Sequence, residues 1–267
     1  MDGFWLVAGL ALLPGVGNFA GGMAAEFGRT TPRLLNLALH AASGIVIGVV
    51  AIELMPEALD NLAGWWIAAC LALGGLAYIG FEMLTERMAR SGMGAGGTSA
   101  MWMIYVAVAI DLSSDGLMIG SGSAVATSFA IVLTAGQVLA DIPEGYSVVA
   151  NLRDKGVARR TRILVSLSFV AYCLVAAVLA YALLRAAPDA AKYAALSFVA
   201  GLLAVAAVED MLEEAHEATG DTRSSALAFI GGFALFALVS AGLESVVASA
   251  PASDTETTTM GENRNGS

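Results

Sequence analysis

Four carboxylates stand inside long apolar stretches of this chain: Asp111, Asp115, Asp141 and Glu144. Asp111 and Asp115 are four residues apart, so a helix puts them on one face. Gln137, Asp141 and Glu144 fall at i, i+4 and i+7 of the next apolar stretch, again one face. A charged carboxylate at the centre of a bilayer costs about 2.5–3.5 kcal/mol on insertion scales, and four unpaired ones cost on the order of 10 kcal/mol. Neither stretch contains a Lys or Arg to neutralise them. They must be protonated, hydrated, or paired with a cation from outside the chain. Ser113 and Ser114 lie between the two aspartates and, with Gln137, add neutral oxygens. Pro143 cannot donate to the carbonyl of Leu139, which frees a backbone oxygen one turn from Glu144. Gly116, Gly120, Gly136 and Gly145 permit close helix approach. The chemistry these residues suit is capture of a cation by oxygen ligands. Asp111, Asp115, Asp141, Glu144, Gln137 and Ser114 are the candidate metal ligands.

The elements that must position them are membrane helices. Of 267 residues, 58% are hydrophobic and only 13% charged, and the mean hydropathy is +0.75. Soluble domains carry about 25% charged residues, so a chain this apolar could not cover its surface in water. Eight stretches are long enough to cross a hydrocarbon core, each needing about 20 residues. They fall near 4–25, 34–56, 63–84, 101–122, 125–149, 163–185, 190–212 and 225–248. Residues 121–128 alone join the fourth and fifth spans, which predicts a tight antiparallel hairpin. Loops occupy 28–33, 91–99 and 151–162, and the polar, aromatic-free tail 252–267 reads as disordered. Residues 1–251 form the membrane domain. Ten of the thirteen basic residues fall in the loops after spans one, three, five and seven. The positive-inside rule therefore places those loops in the cytoplasm and both termini outside. Met1-Asp2 offers no basic n-region, so no cleaved signal peptide is expected.

The formal charge of −10 does not imply a basic partner, because acids at span ends and the four buried ones account for much of it. No basic patch could track a nucleic acid. Cys70 and Cys173 lie within apolar runs and lack CxxC spacing, which argues against a disulfide framework or a thiolate metal site. His40 reads as a packing histidine. The second span ends Glu53-Leu54-Met55-Pro56-Glu57-Ala58 and the seventh Asp210-Met211-Leu212-Glu213-Glu214-Ala215. Similar sequence at opposite membrane faces is the mark of an inverted repeat, common in secondary transporters. The fold class expected is an all-α polytopic membrane protein, with an inverted repeat of spans 1–3 and 6–8 around a central hairpin of spans 4 and 5. Glu53, Glu57 and Asp60 would gather cations at the outer mouth. Asp210, Glu214 and His216 would receive them inside.

Asp115-Gly116 and Asp141-Ile142-Pro143-Glu144-Gly145 resemble the metal motifs of the Zrt-/Irt-like (ZIP) transporter family. There the fourth span reads HNxx[DE]G and the fifth [HQ][ED]xPEG, and together they hold the metal. The resemblance implies eight spans, outside termini, an elevator-like movement of spans one, four, five and six, and frequent occurrence as a homodimer. The chain departs from the pattern at Asp111, where the family has His, at Leu112, where it has Asn, and at Ala140. Span six has no carboxylate between Ile163 and Arg185, so one metal position is expected, not two. Family resemblance pulls toward zinc, whereas all-oxygen ligands suit Mg, Ca or Mn.

These readings converge on a transporter carrying a divalent cation into the cytoplasm, zinc first, with manganese or iron next. Its expected partners are the metal ion and membrane lipid, its setting a prokaryotic cytoplasmic membrane, and no resident cofactor is expected. Enzymatic activity is not expected. The GxGD motif of intramembrane aspartyl proteases is missing, its nearest match being Ser113-Ser114-Asp115-Gly116, and HExxH is missing too. Two alternatives stand beside the transporter. One is a non-transporting relative that senses metal or serves structurally. The other is a proton-coupled carrier of another solute, with the acids relaying protons.

Overall fold

A computed structural model of the chain describes residues 2–90, 97–219 and 222–249. Eight long helices make up these residues: α1 Asp2–Phe27, α2 Pro32–Asn61, α3 Gly64–Arg90, α4 Gly97–Val125, α5 Thr127–Asp154, α6 Arg159–Leu184, α7 Asp189–Glu217 and α8 Arg223–Ser249. Seven of them are long and apolar enough to cross a membrane. The eighth, α5, has 28 residues, enough for about 42 Å of rise. Gln137, Asp141 and Glu144 dilute its hydropathy. The outer faces are apolar: Leu73, Leu76, Leu183, Leu227 and Leu238 are all more than half exposed. Such faces fit lipid, and together with the helix lengths they give the chain its transmembrane character. The tail 252–267 and most of the loop 91–99 lie outside the described residues.

Local chemistry sets several helix ends. Thr31 caps α2, its side chain accepting from the Leu34 N–H at 3.2 Å, with Pro32 in the first turn. Gly156 turns the chain between α5 and α6 at φ +73°, a conformation that favours glycine. Other ends differ from the sequence expectation. The turn expected over 121–128 is helical except at Ala126, whose extended backbone separates α4 from α5. Ser123 fits inside the helix because its hydroxyl bonds back to the Ile119 carbonyl at 2.7 Å. Likewise α7 runs on past residue 212, since acidic residues beyond the apolar core continue a helix readily. Two π-helical segments, Val49–Leu54 in α2 and Ala207–Leu212 in α7, interrupt the regular winding. Nothing in the apolar pattern announced them.

Packing divides the helices into two groups of four. The closest partnerships are α1 with α5, α4 with α6 and α1 with α6 in one group, and α2 with α8 and α3 with α7 in the other. Between the groups, α2 lies against α5 and α4 against α7. The α1–α5 contact is backbone to backbone. A Cβ on Gly21 would stand 1.8 Å from the Ile142 oxygen, and one on Gly145 would stand 1.9 Å from the Asn18 oxygen. Only glycine allows that approach, and it fixes α1 beside the carboxylates of α5. Loops at one end of the bundle meet one another. Arg153 donates to the Ala25 carbonyl at 3.1 Å, Arg162 pairs with Glu26 at 2.7 Å, and Asn36 donates to the Ala215 carbonyl at 2.8 Å.

Candidate functional site

All four acids are buried and face one another between α4 and α5. Asp115 and Asp141 are fully buried, and Asp111 and Glu144 are exposed by only 5% and 7%. The hairpin brings them into two layers. In the outer layer the carboxyls of Asp111 and Glu144 lie within hydrogen-bonding reach of each other. One turn deeper, Asp115 and Asp141 face each other in the same way. Gln137 joins the inner layer, its amide N–H donating to Asp115 Oδ1. Carboxylates that face each other repel unless a proton or a cation lies between them. Ion pairs such as Glu26 with Arg159 and Arg162, or Lys192 with Asp189, sit at helix ends, away from this interior.

One residue joins the site that the sequence reading did not include. Asn18 of α1 is fully buried, and its Nδ2 donates to Glu144 Oε2 at 3.3 Å. A lone Asn between Gly17 and Gly21 in an apolar span carried a signal, since buried amides need partners. Its neighbours across the helix interface could not be read from spacing. Apart from a proton shared between the facing carboxyls, several oxygens here have no hydrogen-bond donor among the described residues: Asn18 Oδ1, Asp115 Oδ2, Gln137 Oε1 and both Oδ atoms of Asp141. Every one is an acceptor. No three His, Cys, Asp or Glu side chains among the described residues close on one point as a metal-binding group in the positions they occupy here. The carboxyls stand as two pairs, with amide oxygens at their side.

A cavity of about 350 Å³ leads to the outer layer from the end that carries Lys155. Along α4 its wall runs through Ile104, Ala107 and Val108 to Asp111, and along α5 through Asn151 and Val148 to Glu144. Glu82, Glu209, Asp210, Glu213, Glu214 and Glu217 also line it, so eight acids face one lysine. A cleft of one sign raises the local concentration of counter-ions. Asp115 and Asp141 lie beyond its floor.

The other candidate residues have separate places. Ser114 is buried, but its hydroxyl donates to the Ile110 carbonyl at 3.0 Å within its own helix. Glu53 is buried on the π segment of α2 and accepts from Ser240 of α8. Glu57 is half-buried and Asp60 exposed on the same helix, at the end away from the cavity. Asp210 accepts from Tyr78, and Glu214 accepts from both Ser147 and Asn151. His216 is exposed, its ring 5.7 Å from that of buried His40. His40 packs between α2 and α7, with Nδ1 2.8 Å from the Asn36 carbonyl oxygen. The Glu214 bonds are distinctive, because they join α5 to α7 and so bridge the two groups of helices. The other long-range side-chain bonds described above stay within one group or at the loop ends. A scan against protein-family models and a search of curated proteins both return no match for this chain.

Proposed function

We propose that this protein carries a divalent metal cation across a membrane through the carboxylate layers between α4 and α5. One observation carries the reading. Four acids lie buried with no basic side chain beside them, two at the floor of an acidic cavity and two one turn beyond it. A carboxylate buried in that way is stable only when protonated or bound to a cation. A cavity open at one end and closed at the fully buried Asp115 and Asp141 is what alternating access requires of a state open to one side. In this reading the excess of basic residues at the cavity end assigns that side to the cytoplasm by the positive-inside rule, with the cavity opening inward and both termini outside.

The resemblance to ZIP transporters supports the same reading, through Asp115-Gly116 and Asp141-Ile142-Pro143-Glu144-Gly145. An inverted repeat is part of the proposal, and the packing supports it. Exchanging α1, α2, α3 and α4 with α6, α7, α8 and α5 turns the α1–α5 contact into α6–α4, and α2–α8 into α7–α3. These are the close partnerships of the fold. The π segments also fall at matching places, in α2 and α7. In this proposal the group α1, α4, α5 and α6 slides against α2, α3, α7 and α8. Zinc is the cargo that the family resemblance favours.

The test is metal uptake by purified protein in liposomes. Wild-type protein should load the vesicles with divalent metal, and Glu144→Gln should reduce the rate by about tenfold or more. Undiminished uptake by Glu144→Gln would remove the outer layer from the pathway. A second reading draws on the pairing of carboxyls two by two, which suits shared protons: a proton-coupled carrier of another solute. Solute flux that persists with every divalent metal chelated would favour it.

A further inference from the structure

The two carboxylate layers offer oxygen alone, and one of the groups bonded to them comes from a helix outside the α4–α5 hairpin. Asn18 sits on α1 at the point of closest approach to α5, where the Gly145 Cα faces its backbone. Its amide is oriented by Glu144: with Nδ2 on Oε2 at 3.3 Å, Oδ1 turns the other way, buried and without a donor. The reverse orientation would press one oxygen on another. Gln137 repeats the device. Its Nε2 is held by Asp115, and Oε1 is left without a donor. Two amides, Asn18 beside the outer layer and Gln137 in the inner one, are thus each held through N–H by a carboxylate, and each keeps a buried carbonyl oxygen without a donor. Asp115 Oδ2 and both oxygens of Asp141 are buried and equally without donors from other side chains. Buried polar atoms in native proteins almost always have partners, and a set made only of acceptors calls for a positive charge.

From this we infer that Asn18 Oδ1 is a cation ligand, joining Glu144 of the outer layer to Asp115, Gln137 and Asp141 of the inner one in a single all-oxygen site. The site selects a hard divalent cation of the manganese or magnesium class over zinc. The inference rests on the metal-transport reading above. Carboxylate and carbonyl oxygens suit Mg, Ca and Mn, whereas zinc sites, even those with a carboxylate ligand, are built around imidazole or thiolate. No histidine reaches either layer, since His40 and His216 lie between α2 and α7. Asn18 is then the position at which a change of donor atom changes the choice of metal.

The experiment measures equilibrium binding of Mn²⁺ and of Zn²⁺, each alone, to the full-length protein in detergent or nanodiscs. It compares wild type, Asn18→Leu, Asn18→His and Asp141→Asn. Wild type should prefer Mn²⁺, and Asn18→Leu should lose about tenfold or more of that affinity. Asn18→His should lose Mn²⁺ affinity while gaining Zn²⁺ affinity, a result that misfolding cannot produce. If Asn18→His and Asn18→Leu keep the wild-type ratio of the two affinities while Asp141→Asn abolishes binding, Asn18 is no ligand, and the metal site stands without it. A wild type that binds zinc more tightly than manganese overturns the selectivity. Failure of wild type to bind either metal sinks the metal reading itself.

Discussion

At the scale of single residues, the decisive property of Asp141 is that both its carboxyl oxygens lack donors in a fully buried position. Replacing it with Asn keeps the shape and removes the charge. Under the proposed function Asp141→Asn should fold about as stably as metal-free wild type, because the amide keeps the shape and carries no charge that needs a partner. Its metal uptake should nevertheless fall by about tenfold or more. Thermal melting and flux on the same preparation check both halves. Metal ligation also requires deprotonated carboxylates, so uptake should slow as the medium is acidified, which a pH series in liposomes reads directly. Much of this site was legible in sequence, because acids spaced four and three apart in apolar runs must share a face. Asn18 was not, because its role depends on contact with a helix more than a hundred residues away. Ser114 was legible by position only; its hydroxyl turns back on its own helix.

Helices bring these residues together through close backbone contact. Gly145 meets the Asn18 backbone so tightly that any side chain would displace α1. Gly145→Leu should therefore destabilise the fold by about 1–3 kcal/mol and lower uptake by parting Asn18 from Glu144. A lowered melting temperature together with lost flux would bear this out. The clasp between α5 and α7 gives a second prediction at this scale. Removing both donors with Ser147→Ala and Asn151→Ala leaves Glu214 as an acceptor without partners. A buried acceptor in that state costs about 1–3 kcal/mol, and the half-buried Glu214 belongs at the low end. Melting of the double variant against each single one measures the loss. Helix number could be read from apolar length, but helix ends could not. The expected turn at 121–128 shrank to Ala126 because serines that bond back to the chain do not break a helix. The π segments lie where α2 and α7 pack against each other, a contact no single stretch of sequence encodes.

For the molecule as a whole, two groups of four helices meet along an interface crossed by few polar bonds, with the acidic cavity opening at one end of it. That arrangement predicts one-sided access. In a background without Cys70 and Cys173, Ala107→Cys on the cavity wall should react with a membrane-impermeant thiol reagent applied from the side of the Arg-rich loops, and not from the other. The apolar pattern already indicated the number of long helices. The division into two groups was implied only through family resemblance, since it depends on which helices touch. The central claim is that the buried carboxylates converge on an imported ion, and anomalous diffraction from crystals soaked in Mn²⁺ tests it most directly. The account predicts a peak between Asp115 and Asp141, lost in Asp141→Asn. A map with peaks only among the acids at the cavity mouth, and none between α4 and α5, would contradict it.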